Sequence, residues 1–276
     1  MFHLTSQVTD LAARAGYHLD PSDLPAATIT DPLAVAALLG ATAGTAVIGV
    51  LRELVADAAA HTRTTITDLA DSPSDQPRLH QAATYLAWLT SKADTELDRR
   101  SRDYRTMLAE NLHTLATHGA VRSAPPPQSP EAPQAAQDST VAAQLRTLAE
   151  TCAADWGWRL DWTALTATLG PRLNEIHDLL DAVAGLCAAH LYRQLLTDAI
   201  PAARSDLSTA DTEHVGSAAA HLATLTEALA DCLHTQATHN HTVITTSAAL
   251  AKRARAWRRE RWIPTPPQRT AAAHTA

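Results

Sequence analysis

Apolar residues recur along most of this chain at the three-to-four-residue spacing of an α-helix, and strand-like alternation is scarce. Read this way, the first half predicts helices over about 3–15, 31–70 and 76–118. The second half predicts helices over about 141–156, 172–199 and 208–262. Asp31-Pro32 supplies an N-cap followed by a proline at the first helical position. Ser72-Pro73 breaks the chain before the third helix, and Gly119 stands where a C-terminal glycine cap belongs. Pro201 is expected to end the middle helix of the second half, because proline has no N–H to donate. The last helix is long for a globular protein and is expected to bend near Asn240 or to project beyond the bundle.

The two sets of helices are related. Shifting the chain by 141 residues lays Leu4–Ala58 on Leu145–Ala199 without a gap, with about 17 of 55 positions identical. Some of these are Ala pairs, which carry little. Others are less expected in an Ala/Leu-rich chain: Gly16 with Gly157, Leu19-Asp20 with Leu160-Asp161, Gly44 with Gly185, and Arg52 with Arg193. A weaker match at a slightly shorter offset pairs Asp75, Leu79, Ala82, Leu86 and Leu89 with Asp211, Val215, Ala218, Leu222 and Leu225. So long a period points to a duplicated unit rather than a short solenoid repeat.

The expected fold is therefore all-α: tandem duplicated helical units of about three helices each, packed as a helical bundle with long third helices. The first unit covers 1–122 and the second 141–263. Between them, 123–140 (SAPPPQSPEAPQAAQDST) is rich in proline and has little to bury, so it is expected to be an extended or disordered linker. Residues 264–276 are expected to form a disordered tail.

One stretch tests this picture. Residues 33–51 carry no charge over 19 positions, long enough to cross a bilayer, and contain the close-packing pair Gly40 and Gly44. The aligned stretch of the second half carries Asn174, Glu175, His177, Asp178 and Asp181, which no lipid-facing helix tolerates. A helix buried among its neighbours is the favoured reading, and a membrane span the alternative.

Composition agrees with helices. Ala, Leu and Thr dominate, with one Phe, four Tyr and nine Gly. Lys occurs only at Lys92 and Lys252, an arginine bias of the kind seen in GC-rich bacterial genomes. The formal net charge of −7 argues against a surface that binds nucleic acid all over. Cys152, Cys187 and Cys232 do not form a disulfide framework, and the first twenty residues lack a secretory signal. A cytoplasmic location with reduced thiols is expected.

Three sets of residues could carry function. The first is a repeated turn, Gly16, Tyr17 and Asp20 with Gly157, Trp158 and Asp161. Its aromatics could stack on a ligand, although a glycine stop, a packed aromatic and an Asp cap explain the same residue types. The second is a pair of carboxylate-x-x-His spacings, Glu110 with His113 and Asp231 with His234, which in helical bundles can hold metal. With fourteen His in a helical chain such spacings also arise by accident. The third is a basic stretch with two tryptophans: Lys252, Arg253, Arg255, Trp257, Arg258, Arg259, Arg261 and Trp262. It suits phosphate or a partner protein, and Arg99, Arg100, Arg102 and Arg105 form a smaller cluster. The sequence has no Gly-rich phosphate loop, nucleophile elbow or Cys-x-x-Cys. The leading expectation is a non-catalytic helical interaction or scaffold protein with a protein partner and no cofactor. A nucleic-acid-associated protein and a metal- or small-molecule-binding bundle are the alternatives.

Overall fold

The computed structural model describes residues 4–70, 75–124, 134–167 and 169–257. Among them the regular structure is helical except for one short bridge. Helix α1 (Leu4–Arg14) ends at Gly16, whose φ of +83° is a conformation that favours glycine. The chain then makes β1 (Tyr17–His18), which pairs antiparallel with β2 (Arg122–Ser123), opposing Tyr17 to Ser123 and His18 to Arg122. Asp20 caps a short 3₁₀ turn at Pro21–Asp23, accepting from the Ser22 N–H at 2.8 Å, and α2 (Leu24–Thr30) follows. Asp31 caps α3 (Pro32–Ala70), its Oδ1 accepting from the Ala34 N–H at 2.9 Å. Helix α4 (Gln76–Trp88) passes through a π-helical turn at Leu89–Ala93 into α5 (Asp94–Thr117), and Gly119 ends it at φ +75°.

Among the described residues the second half is helical throughout, with a 3₁₀ turn at Gly170–Arg172. Helix α6 (Gln134–Ala154) ends at Gly157, with φ +76°; α7 (Trp162–Ala167) follows, its Ala164 N–H donating to Asp161 Oδ1 at 3.1 Å. The two long helices are α8 (Leu173–Thr209) and α9 (Val215–Trp257).

Several boundaries differ from the sequence reading. Pro201 does not end the middle helix: α8 runs through it to Thr209. The proline is exposed and forfeits one hydrogen bond, while Ala199, Ile200 and Ala203 beside it are buried and hold the helix in place. The last helix consequently starts at Val215 rather than near residue 208. Helix α6 reaches back to Gln134, into the stretch assigned to the linker; its proline-free QAAQDST segment is rich in residues that accept helical geometry. Residues 125–133 and the tail at 264–276 lie outside the described residues. Asp20-Pro21-Ser22-Asp23 has the chemistry of a helix start and leads into α2, but six or seven residues carry too little periodicity to give α2 and α7 bounds from the sequence.

The chain is an all-α bundle around one main core, with a small separate cluster of Leu69 and Ala82 where α3 meets α4. The main core is continuous from Leu4, Val8 and Ala12 through α3 and α8 to Val243 and Leu250. Helix α5 lies along α3, α9 lies along α8, and α3 and α8 pack against each other between them. Polar ties join the halves. The Tyr192 hydroxyl donates to the Pro32 carbonyl at 2.7 Å, the Gly170 N–H donates to the Tyr85 hydroxyl at 3.0 Å, and Arg146 pairs with Glu53 at 3.2 Å. Helix α3 is long and apolar enough to cross a membrane; its most apolar window is 67% buried inside the protein.

Burial recurs with a fixed spacing. Leu4, Val8 and Ala12 of α1 are buried, as are Leu145, Ala149 and Ala153 of α6, each 141 residues on. Every buried residue of α8 lies 141 residues after a buried residue of α3, as Ile176 after Val35, Leu180 after Leu39 and Ala203 after Thr62. In the outer helices the spacing is 136 from Leu89 to Leu225 and 135 from Ala93 to Ala228, Leu97 to Cys232, Leu108 to Val243 and Leu115 to Leu250. The change of one residue falls within the π-helical turn, which inserts one residue into a helix.

Candidate functional site

Two glycines fix how closely the outer helices approach the inner ones. A side chain at Gly44 of α3 would overlap the ring of Tyr104 of α5, and one at Gly185 of α8 would overlap the ring of His239 of α9. Beside each glycine, the N-terminal part of the other inner helix closes the space. This creates two comparable places, and their chemistry is opposite.

The first place lies between α5 and α8 and is filled with polar side chains. Glu96 accepts from Arg99 Nη2 at 2.7 Å and from Arg100 Nε at 2.8 Å, and Arg100 Nη2 reaches Asn174 Oδ1 at 3.5 Å. The two guanidiniums, Arg99 first, hold the Glu96 carboxyl down at about 2. His177 sits behind Arg100 with Nδ1 3.5 Å from Asp178 and no partner for Nε2 among the described residues. Burial, reinforced by Arg100, holds the His177 imidazole below its ordinary value. Tyr104 faces Asp181, and burial, then that carboxylate, pushes its phenol up. Toward the π-helical turn the cluster opens into a cavity of about 320 Å³ of mixed lining, with Lys92, Glu96, Arg100 and Asn174 beside Trp88 and Leu173.

The lowered His177 value has a measurable consequence. The unfolded chain takes up this proton near 6.5, above the folded value, so the contribution to stability is complete above that pH. It is lost as pH falls from about 6.5 through the folded value. Thermal melts between pH 8 and pH 5 should show this decline, and His177→Gln should flatten it; an unchanged slope in the variant would assign the decline to other groups.

The second place lies between α8, α9 and the start of α3, and it is open. A cavity of about 200 Å³ is lined mainly by Leu33, Ala36, Gly40, Ala188, Ala189 and Ala228, with Tyr192 and the Cys232 thiol deeper in. Asp231, Thr235 and His239 form its polar side. The Cys232 thiol donates to the Ala189 carbonyl at 3.2 Å, and the Tyr192 hydroxyl is committed to Pro32, so neither is free to turn inward. Burial raises the Cys232 thiol and also those of Cys152 and Cys187, the last to about 11, which keeps them protonated. Leu33, 66% exposed, stands at the mouth.

The two places correspond position by position. Leu33, Ala36 and Gly40 precede Asn174, His177 and Asp181 by 141 residues, and Asp231, Thr235 and His239 follow Glu96, Arg100 and Tyr104 by 135. Where the first place carries His177, Asp181 and Arg100, the second carries Ala36, Gly40 and Thr235. The difference in side-chain volume is the opening.

The residues singled out from the sequence fall elsewhere, with one overlap. Gly16 and Gly157 adopt the positive φ that a turn needs, Tyr17 and Trp158 are half-buried against the core, and Asp20 and Asp161 cap the turns that follow. Glu110 and His113 are exposed on α5, and Asp231 and His234 are exposed on α9. No group of three His, Cys, Asp or Glu able to hold a metal occurs among the described residues, so these four are not drawn into one cluster. Asp231 alone reaches a cavity. Lys252 is exposed and Arg253 pairs with Glu175 of α8. Arg255 and Trp257 lie on the α9 backbone with side chains outside the described residues, as are Arg258, Arg259, Arg261 and Trp262 altogether. On α5, Arg99 pairs with both Glu96 and Asp103 and Arg100 with Glu96, so acids interleave that cation cluster. The opening itself was missed by the sequence reading, although its signal is present: the aligned positions 36 with 177 and 40 with 181 exchange a large polar residue for a small one.

Comparison with known proteins gives no match: no family model, curated protein or solved structure is similar to this chain.

Proposed function

We propose that this chain is a non-catalytic helical binding protein, built from two copies of one unit, whose binding element is the open cavity between α3, α8 and α9. Duplication is supported by the 141-residue recurrence of burial through α1–α3 and α6–α8, and by the spacing step at the π-helical turn. In the first copy the corresponding place is occupied by the protein's own His177, Asp181 and Arg100. In the second copy the same volume is left for another molecule. The single observation that carries this function is the apolar cavity of about 200 Å³ over Ala36 and Gly40, where the other half carries His177 and Asp181.

Gly40 gives a clean test. A Cβ at Gly40 would meet no atom within 4 Å, so a larger side chain enters the cavity without disturbing its neighbours. Replacing a helical glycine also favours the helix by roughly 0.5–1 kcal/mol. A thermal-shift screen of small apolar fragments should find several that raise the Tm of the natural chain. The same fragments should leave Gly40→Leu unmoved. Equal stabilisation of both proteins would remove the cavity as the binding element.

A further inference from the structure

The filled first place also indicates which chemistry the open one lacks. In the first place the acid is met by cations: Glu96 accepts from Arg99 and from Arg100, and Arg100 spans toward Asn174. In the second place the acid is kept, as Asp231, while the guanidinium is replaced by Thr235. No ion pair engages Asp231 among the described residues. Arg193, which lies near the Cys232 sulfur, is turned to His190 Nδ1 at 3.4 Å. Asp231 lines the space, and its charge adds, after burial, Cys232 and Asp31, to what holds the Tyr192 phenol protonated. Asp231 is thus the carboxylate lining an apolar cavity in which Ala36 stands where the other half carries the ring of His177.

We propose that the cavity binds a small primary amine with an apolar, ring-sized body. The ammonium takes the position of the missing guanidinium between Asp231 and the Thr235 hydroxyl. The body lies over Ala36 and Gly40, in the volume that His177 and Asp181 fill on the other side. An apolar cavity of about 150 Å³ accommodates benzene, so about 200 Å³ leaves room for a ring with a two-carbon chain. Because Asp231 is exposed, its pairing strengthens binding modestly and selects among ligands more than it holds them.

This inference rests on the cavity being the binding element, and the test separates the two. Binding of 2-phenylethylamine, 2-phenylethanol and 3-phenylpropanoate is measured at pH 7 by calorimetry or ligand-detected NMR. The amine should bind with a dissociation constant on the order of 1 mM or below, ahead of the alcohol and the acid. Asp231→Asn should weaken the amine roughly fivefold and leave the alcohol unchanged. Gly40→Leu should abolish binding of all three, with Ala36→Leu as a second filling variant should the first fold poorly. Equal binding of amine and alcohol, lost on filling, would overturn the amine and leave the cavity standing. Amine binding that ignores Asp231→Asn would likewise overturn the ligand class. Absence of binding by every probe at 10 mM would overturn both.

Discussion

Truncating Leu38 to Ala should destabilise the whole protein by about 2–5 kcal/mol and lower its Tm by roughly 5–15 °C. Leu38 is fully buried at 0% exposure on α3, the inner helix of the first half. Its counterpart on α8, Leu179, is also at 0%, so Leu179→Ala should cost about the same. The core is continuous from Leu4 of α1 to Leu250 of α9, with α3 and α8 packed against each other at its centre. Damage in either half should therefore move one shared transition. Differential scanning calorimetry of both variants and the parent checks this. Two separated transitions, with only one shifted in each variant, would mean that the halves fold as independent domains.

The second large effect belongs to Gly44. A methyl group there overlaps the Tyr104 ring, which is half-buried and held on its far side by Asp181. Overpacking of this kind costs about 1–3 kcal/mol, against which the better helix propensity of Ala recovers less than about 1 kcal/mol. Gly44→Ala should therefore melt lower by several degrees, and urea denaturation should show a reduced midpoint with an unchanged slope. Pairing it with Tyr104→Ser, which removes the obstructing ring, should recover much of the loss relative to Tyr104→Ser alone. Equal effects of Gly44→Ala in both backgrounds would show that the ring is not the obstacle. Gly185→Ala meets only His239, a half-exposed ring on α9, and should be milder.

The all-helical class and the middle helices could be read from the sequence because long periodic runs with caps are strong local signals. Asp31-Pro32 starts α3 where expected, and Gly119 closes α5. Pro201 misled because a local rule was applied to a residue whose neighbours are fixed by tertiary packing: Ile200 and Ala203 are anchored in the core. The π-helical turn left no trace in the sequence reading, because a bulge has no side-chain signature of its own; it emerges as a one-residue step in the spacing of buried positions. Function was less legible for a specific reason. Motif searching looks for residues that are present, such as Glu110 with His113, whereas the cavity is made by small residues, Ala36, Gly40 and Thr235, where the sister half has large ones. Only the alignment of the halves exposes that contrast.

A lone unit with the inner helix of this bundle would leave a long apolar face bare in water. It could persist only as a self-paired dimer, with assembly governed by concentration and with two identical crevices forced by symmetry. If the two halves are copies of one unit, as proposed, joining them in one polypeptide makes their meeting intramolecular. On the proposed duplication it also frees each crevice to change alone, so that one could gather charge while the other stayed apolar.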